Sequence, residues 1–187
     1  ISANGGSGDS FFGGGGGGGR IAIFLTNPAD TNTFTGGLSA FGGAGKNAGG
    51  AGTIYLRPAT YQGGTLLVDG GLLAGSNTDL WNISSPCDVV LRGRGGVALR
   101  TPLSARSLLV ASNTSVLMKA DTGFPTAITL TGDATIEAGG SILADGLGYP
   151  AEQGPNAGRT YTSSSTFAGG GGHGGYGGAG GMPQASG

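Results

Sequence analysis

Seven consecutive glycines, Gly13 to Gly19, constrain this chain more than any other feature. Glycine loses the most conformational freedom on ordering, so a bare tract belongs either in a floppy linker or in a packing arrangement with close neighbours on several sides. A second tract, Gly169 to Gly181, is broken only by His173, Tyr176 and Ala179. Extended left-handed helices of the polyproline type offer one ordered solution. They have no internal hydrogen bonds, and without side chains their backbones approach closely enough to bond laterally. If ordered, the tracts must therefore pack against each other or against a neighbouring subunit.

Composition sets the rest of the frame. Glycine supplies 45 of 187 residues, and only 10% are charged, against about 25% in an ordinary soluble domain. Net charge −1 with 37% hydrophobic residues is unlike a disordered chain, which carries high net charge and few apolar groups. Glycine and alanine cannot build a thick core, so the short Leu, Ile, Val and Phe clusters imply a thin core repeated along an axis, as in a solenoid.

Strand signals dominate the reading, at residues 20–25, 53–56, 65–68, 89–91, 97–99, 108–110, 116–118, 128–130, 135–137 and 142–144. No dozen-residue window has helical spacing of apolar positions free of Gly or Pro. Apolar strand ends repeatedly run into Asn-Gly, Asp-Gly or Gly-Gly, as in Leu66-Leu67-Val68-Asp69-Gly70-Gly71 and Ile142-Leu143-Ala144-Asp145-Gly146. Such degenerate repetition favours stacked coils. The expected fold is all-β, a β-solenoid of the parallel β-helix kind with glycine-rich loops and polyglycine segments of the polyproline II type. Because Asn-Gly and Asp-Gly also make hairpins, an antiparallel β-sandwich is the alternative. Residues 1–147 read as the strand-rich body and residues 148–187 as a Gly/Ser/Thr-rich tail that packs on the body or on a neighbouring subunit.

Chemistry is harder to place. Residues 40–47 (AFGGAGKN) lack the first Gly and the final hydroxyl of a phosphate-binding loop. His173 is the sole histidine and cannot form a metal site alone. The ten acidic residues are dispersed; Asp69, Asp133 and Asp145 adjoin strand ends where turn formation explains them, with Asp133 and Glu137 left as a pair that coils could bring together. No catalytic residue, cofactor or metal is expected. Cys87, the single cysteine, reads as a small buried hydrophobe. Scattered Lys and Arg residues exclude a nucleic-acid stripe, and no apolar run approaches the ~20 residues of a membrane helix. Asn82 and Asn113 head formal N-glycosylation triplets. Phe11, Phe12, Phe41, Tyr149, Tyr161, Phe167 and Tyr176 sit in or beside glycine-rich stretches that read as loops, as plugs folded back on the core or as anchors into a partner. Trp81 reads as a core residue or coil-end cap.

The strings Gly13 to Leu25 (GGGGGGGRIAIFL), Thr35 to Gly43 (TGGLSAFGG) and Gly49 to Leu56 (GGAGTIYL) resemble glycine-rich modules of very large bacterial secreted and surface proteins of the adhesin kind. That resemblance implies a β-helical, adhesive or structural module without catalysis, secreted or at the cell surface. The glycine tracts also resemble the polyglycine-helix domains of certain receptor tyrosine kinases and springtail antifreeze proteins, which implies a packing mode only. The expected function is therefore a non-enzymatic subunit or module of a self-assembling fibre, sheath or surface layer. Its partners would be copies of itself or tandem modules. The alternative is an adhesin stalk or carbohydrate-binding solenoid meeting a cell-surface glycan. Gly13, Gly16, Gly19, Phe11, Phe12, Gly170, His173 and Tyr176 are the candidate assembly residues.

Overall fold

Apolar residues at alternate positions of short strands, each strand followed by a glycine or polar corner, produce coils that stack. The computed structural model describes residues 1–29, 36–84, 86–119, 127–145, 160–162, 166–170 and 177–178. It divides into two units, Ile1–Ala144 and Asp145–Gly187. Fourteen strands are present among the described residues: β1 (Arg20–Phe24), β2 (Thr53–Arg57), β3 (Thr65–Asp69), β4 (Thr78–Leu80), β5 (Asp88–Arg92), β6 (Gly96–Leu99), β7 (Leu103–Ala105), β8 (Ser107–Val110), β9 (Ser115–Met118), β10 (Ile128–Leu130), β11 (Ala134–Ile136), β12 (Ser141–Leu143), β13 (Thr160–Thr162) and β14 (Thr166–Ala168). No described helix is long and apolar enough to cross a membrane.

From β3 onward the first unit is a parallel β-solenoid of about three turns. One wall stacks β3, β5, β8 and β11; a second stacks β4, β6, β9 and β12; the third pairs β7 with β10. Parallel ladders need a crossover between partners, and here the other two walls of each coil provide it. The antiparallel sandwich is thereby excluded. Antiparallel pairing occurs at two places only among the described residues: β2 with β3, and β13 with β14.

Ladder register places like on like. Leu66 lies beside Val89 and Val89 beside Leu108; Val68 lies beside Leu91 and Leu91 beside Val110. On the second wall Val97 partners Val116, and Leu80 partners Leu99. All ten of these residues are buried, and they join Cys87, Leu103 and Ala105 in one thin core. Each fully buried Val or Leu contributes about 1.5–3 kcal/mol, so stability accrues coil by coil.

Turn chemistry sets the corners. Asn82 and Asn113 take φ of 53° and 60°, and Gly71 and Gly93 take 62° and 81°. Asparagine is among the few non-glycine residues that enter this region cheaply, which accounts for both formal glycosylation triplets as coil corners. The buried Thr114 beside one of them donates its hydroxyl to the Gly93 carbonyl at 2.9 Å, tying neighbouring coils together. Arg–Asp pairs bind coils on the outside: Arg92 with Asp69 at 2.7 Å and Arg100 with Asp79 at 3.0 Å.

Trp81 departs from expectation. It is 47% exposed, because β4 ends on the buried Leu80 and the chain turns outward at the next residue. Tyr161 and Phe167 are strand residues, register partners in the β13–β14 hairpin.

Candidate functional site

The tract Gly13–Gly19 is not a linker in this structure. It lies among three other extended segments of the same unit: residues 3–9, residues 40–46 and residues 47–52. Toward the first, Gly13, Gly16 and Gly19 donate to the carbonyls of Asp9, Gly6 and Ala3 at 3.1, 2.9 and 2.6 Å. Toward the last, Gly15 and Gly18 donate to Asn47 and Gly50, both at 2.9 Å. The carbonyls of Gly13 and Gly16 accept from Lys46 and Gly43, both at 2.8 Å, and that of Gly19 accepts from Thr53 at 3.1 Å. Every series repeats at three residues, the period of a polyproline II helix. Opposed numbering makes the tract antiparallel to residues 3–9 and 40–46 and parallel to residues 47–52.

Three faces follow from that period. A methyl group on Gly15 or Gly18 would land on the carbonyl oxygen of Gly43 or Ala40. On Gly16 or Gly19 it would meet Gly6 N or Ala3 Cβ at 3.2 Å, and on Gly13, in the same phase at the turn, the Asp9 amide nitrogen at 2.5 Å. On Gly14 or Gly17 it would find nothing nearer than the Asn47 or Gly50 oxygen at 3.9 Å. Glycine is thus demanded by close approach on one face, crowded on the second and unforced on the third. Ordering a glycine costs roughly 0.5–1 kcal/mol more than ordering an alanine. Eight lateral hydrogen bonds at roughly 0.5–1.5 kcal/mol each offset that cost for the seven residues.

The lattice continues outward from the tract. Gly5 and Gly8 donate to Phe41 and Ala44 at 2.8 and 2.7 Å, and Gly49 and Gly52 to Gly43 and Ala40 at 3.0 and 2.6 Å. It joins the solenoid where Ser76 N–H reaches the Ala48 carbonyl at 3.0 Å and the Thr78 hydroxyl reaches that of Ala51 at 2.7 Å. Ile21, Ala40 and Ile54 form a small second core between β1, β2 and the lattice. Residues 40–47, faintly like a phosphate-binding loop in sequence, are one of its extended segments and the bend that follows.

At the end of the lattice the chain reverses between the first two segments. The Asp9 carboxylate accepts from the Phe11 and Phe12 amides, both at 2.9 Å. Those Phe12 and Phe11 hydrogen bonds hold its pKa below the ordinary 3.8. This turn presents Phe11 and Phe12 to solvent, 72% and 96% exposed. Phe41 behaves otherwise: its ring lies over Gly71, 3.1 Å from where a β-carbon there would sit.

Of the candidate assembly residues, the structure brings Gly13, Gly16 and Gly19 together in the lattice with Phe11 and Phe12 at its tip. Gly170 belongs to the second unit, where its amide donates to Gly178 at 2.8 Å. His173 and Tyr176 lie outside the described residues, as does Tyr149. The residues that sequence reading missed are Gly15 and Gly18, which together with Gly13 are the tract positions without room for a methyl group. Only the three-residue phase of the neighbouring segments singles them out, and a uniform glycine run hides it.

Ionisable groups meet in small clusters between coils. Asp88 accepts from the Ser107 hydroxyl and pairs with Arg106, whose Nε donates to the Tyr61 hydroxyl at 2.8 Å. The Arg106 guanidinium also lies 5.1 Å from the Tyr61 ring centroid. Burial pushes the Asp88 pKa up, but the hydrogen bonds from Ser107 and Arg106 and the Arg106 charge outweigh it and leave the group below 3.8. Burial raises the pKa of the Cys87 thiol, and Asp88 adds to the rise. The Glu137 carboxylate accepts from the Ser112 amide at 3.0 Å and is not brought into a cleft with a second carboxylate by any described contact. No group of three or more His, Cys, Asp or Glu among the described residues could hold a metal ion.

These elements define a parallel β-solenoid fused to a polyglycine lattice. No known protein family matches the chain, and no curated protein or solved structure matches it either.

Proposed function

We propose that this chain is a non-enzymatic structural protein of the extracellular space, a subunit or module of a self-assembling fibre, sheath or surface layer in a bacterial setting. The observation that carries the reading is the lattice around Gly13–Gly19, where backbone packs on backbone in place of side-chain chemistry. Three of the described carboxylates support it, those of Asp69, Asp79 and Asp88 being spent on coil-to-coil pairs. Resemblance to glycine-rich modules of large bacterial surface proteins points the same way. Negative-stain microscopy across a concentration series tests it: filaments or sheets that grow with concentration are expected, and a monodisperse monomer at high concentration contradicts the reading.

A second reading, an adhesin stalk or carbohydrate-binding solenoid, is favoured by one feature. An open polar groove is lined by Arg94, Asn113, Thr114, Ser115 and Ser141, groups suited to sugar hydroxyls. Selective retention on a glycan array, lost in Arg94→Ala, would replace the first reading with this one.

A further inference from the structure

The six-stranded sheet of the first unit ends in two dissimilar edges, β1 and β11. Among the described residues each leaves a row of main-chain groups without a ladder partner, and their positions can be read from the bonds each strand already makes. Leu25 N–H donates to Arg57 and the Gly19 carbonyl accepts from Thr53, so odd-numbered residues of β1 face β2. The alternation of a ladder then turns the amides and carbonyls of Ala22 and Phe24 outward. Likewise Glu137 N–H donates to Val110 and the Asp133 carbonyl accepts from Leu108, which turns those of Ala134 and Ile136 outward.

Side chains of these four residues lie on one face of the sheet. Ala22 partners Tyr55, whose ring packs on the main core and sits 5.7 Å from that of Phe24. Ala134 and Ile136 partner the core residues Leu108 and Val110. Because β2 is antiparallel to β3, β1 also runs antiparallel to β11. Antiparallel pairing requires outward-turned groups whose side chains share a face, and the two edges supply both. Phe24 is 51% and Ile136 49% exposed, an apolar residue waiting at each edge.

Charge separates the ends. Arg20 and Arg57 lie on β1 and β2 with no acidic residue in either strand. Around β11 and β12, residues 131–144 hold Asp133 and Glu137 and no Lys or Arg. Neither β1 nor β11 carries a proline, and β11 (Ala134-Thr135-Ile136) carries no charge, so neither of those two edge protections is present there.

We propose that β11 of one copy adds antiparallel to β1 of the next, with Ile136 laid against Ala22 and Phe24 and the acidic end facing Arg20 and Arg57. The contact is heterologous, so each copy keeps one free edge of each kind and assembly continues end to end. This deepens the self-assembly reading and rests on it.

The test uses the full chain with two edge-blocking variants, Ala22→Pro and Ala134→Pro. Each removes only an outward amide, which an edge strand tolerates. Mass photometry and sedimentation velocity should show wild type forming species that lengthen with concentration. Either variant alone should need at least about a tenfold higher concentration to associate. An equimolar mixture should form one-to-one pairs through the single intact edge left on each partner, and nothing longer. Variants that lengthen like wild type would overturn this interface and leave the self-assembly reading standing. A wild-type chain that stays monomeric would overturn both. Should either proline variant fail to melt cooperatively, Arg20→Glu at an exposed position replaces it: association that needs at least about a tenfold higher concentration is expected, and unchanged assembly overturns the contact.

Discussion

The Gly43 amide donates to the carbonyl of Gly16 at 2.8 Å, joining the third extended segment to the second through backbone alone. Side chains contribute nothing to that contact; their absence allows it. The same phase repeats at Lys46 and Gly13, so the lattice is a register as strict as that of a sheet.

Substitution within the tract should therefore depend on phase. Gly15→Ala and Gly18→Ala force a methyl group onto a carbonyl oxygen and should cost about 1–3 kcal/mol or more, the range for overpacking. Gly14→Ala and Gly17→Ala meet nothing nearer than 3.9 Å and should be neutral, or stabilise by about 0.4–1 kcal/mol by restricting the unfolded chain. Chemical denaturation of the four variants checks this, and equal effects at all four positions would count against the packing.

The solenoid core should respond by column. Leu91, 1% exposed between Val68 and Val110, should cost about 2–5 kcal/mol as Leu91→Ala. Leu72, 88% exposed at a corner, should change stability by less than about 0.5 kcal/mol as Leu72→Ala. Urea melts of the two variants measure the difference.

Acid should loosen the coils at Asp88. Its folded pKa lies below the ordinary value, so its carboxylate stabilises the native state above that value. The contribution falls away as pH drops through the folded pKa. Wild type should therefore lose its melting-temperature advantage over Asp88→Asn as pH falls from 7 to below 3.8. An advantage that persists in acid would contradict the assignment.

Cys87 should be silent in the native protein. It is 2% exposed, and burial disfavours its thiolate, the reactive form. A disulfide reagent should titrate no thiol in buffer and one in denaturant.

Much of this was legible from residue type. Val89 to Leu91 and Leu108 to Val110 announce strands, since β-branched and apolar clusters between glycine corners have few other uses. Strands β4 and β7 were not legible: Thr78-Asp79-Leu80 and Leu103-Ser104-Ala105 carry too little apolar pattern, and their parallel partners impose the conformation. Coil length was hidden too. Thr65 pairs with Asp88, Asp88 with Ser107 and Leu108 with Ala134, steps of 23, 19 and 26 residues that no fixed repeat reveals. The lattice could be anticipated as a need for neighbours around Gly13–Gly19. Which neighbours, and in which phase, depends on Asn47, Gly43 and Gly6 meeting in space.

Residue-resolved amide hydrogen exchange across Gly13–Gly19 tests the central claim most directly. Gly15, Gly16, Gly18 and Gly19 donate to lateral carbonyls and should exchange slowly, whereas no described bond engages the amides of Gly14 and Gly17, which should exchange fast. That three-residue rhythm is the predicted result; uniformly fast exchange from Gly13 to Gly19 would contradict it.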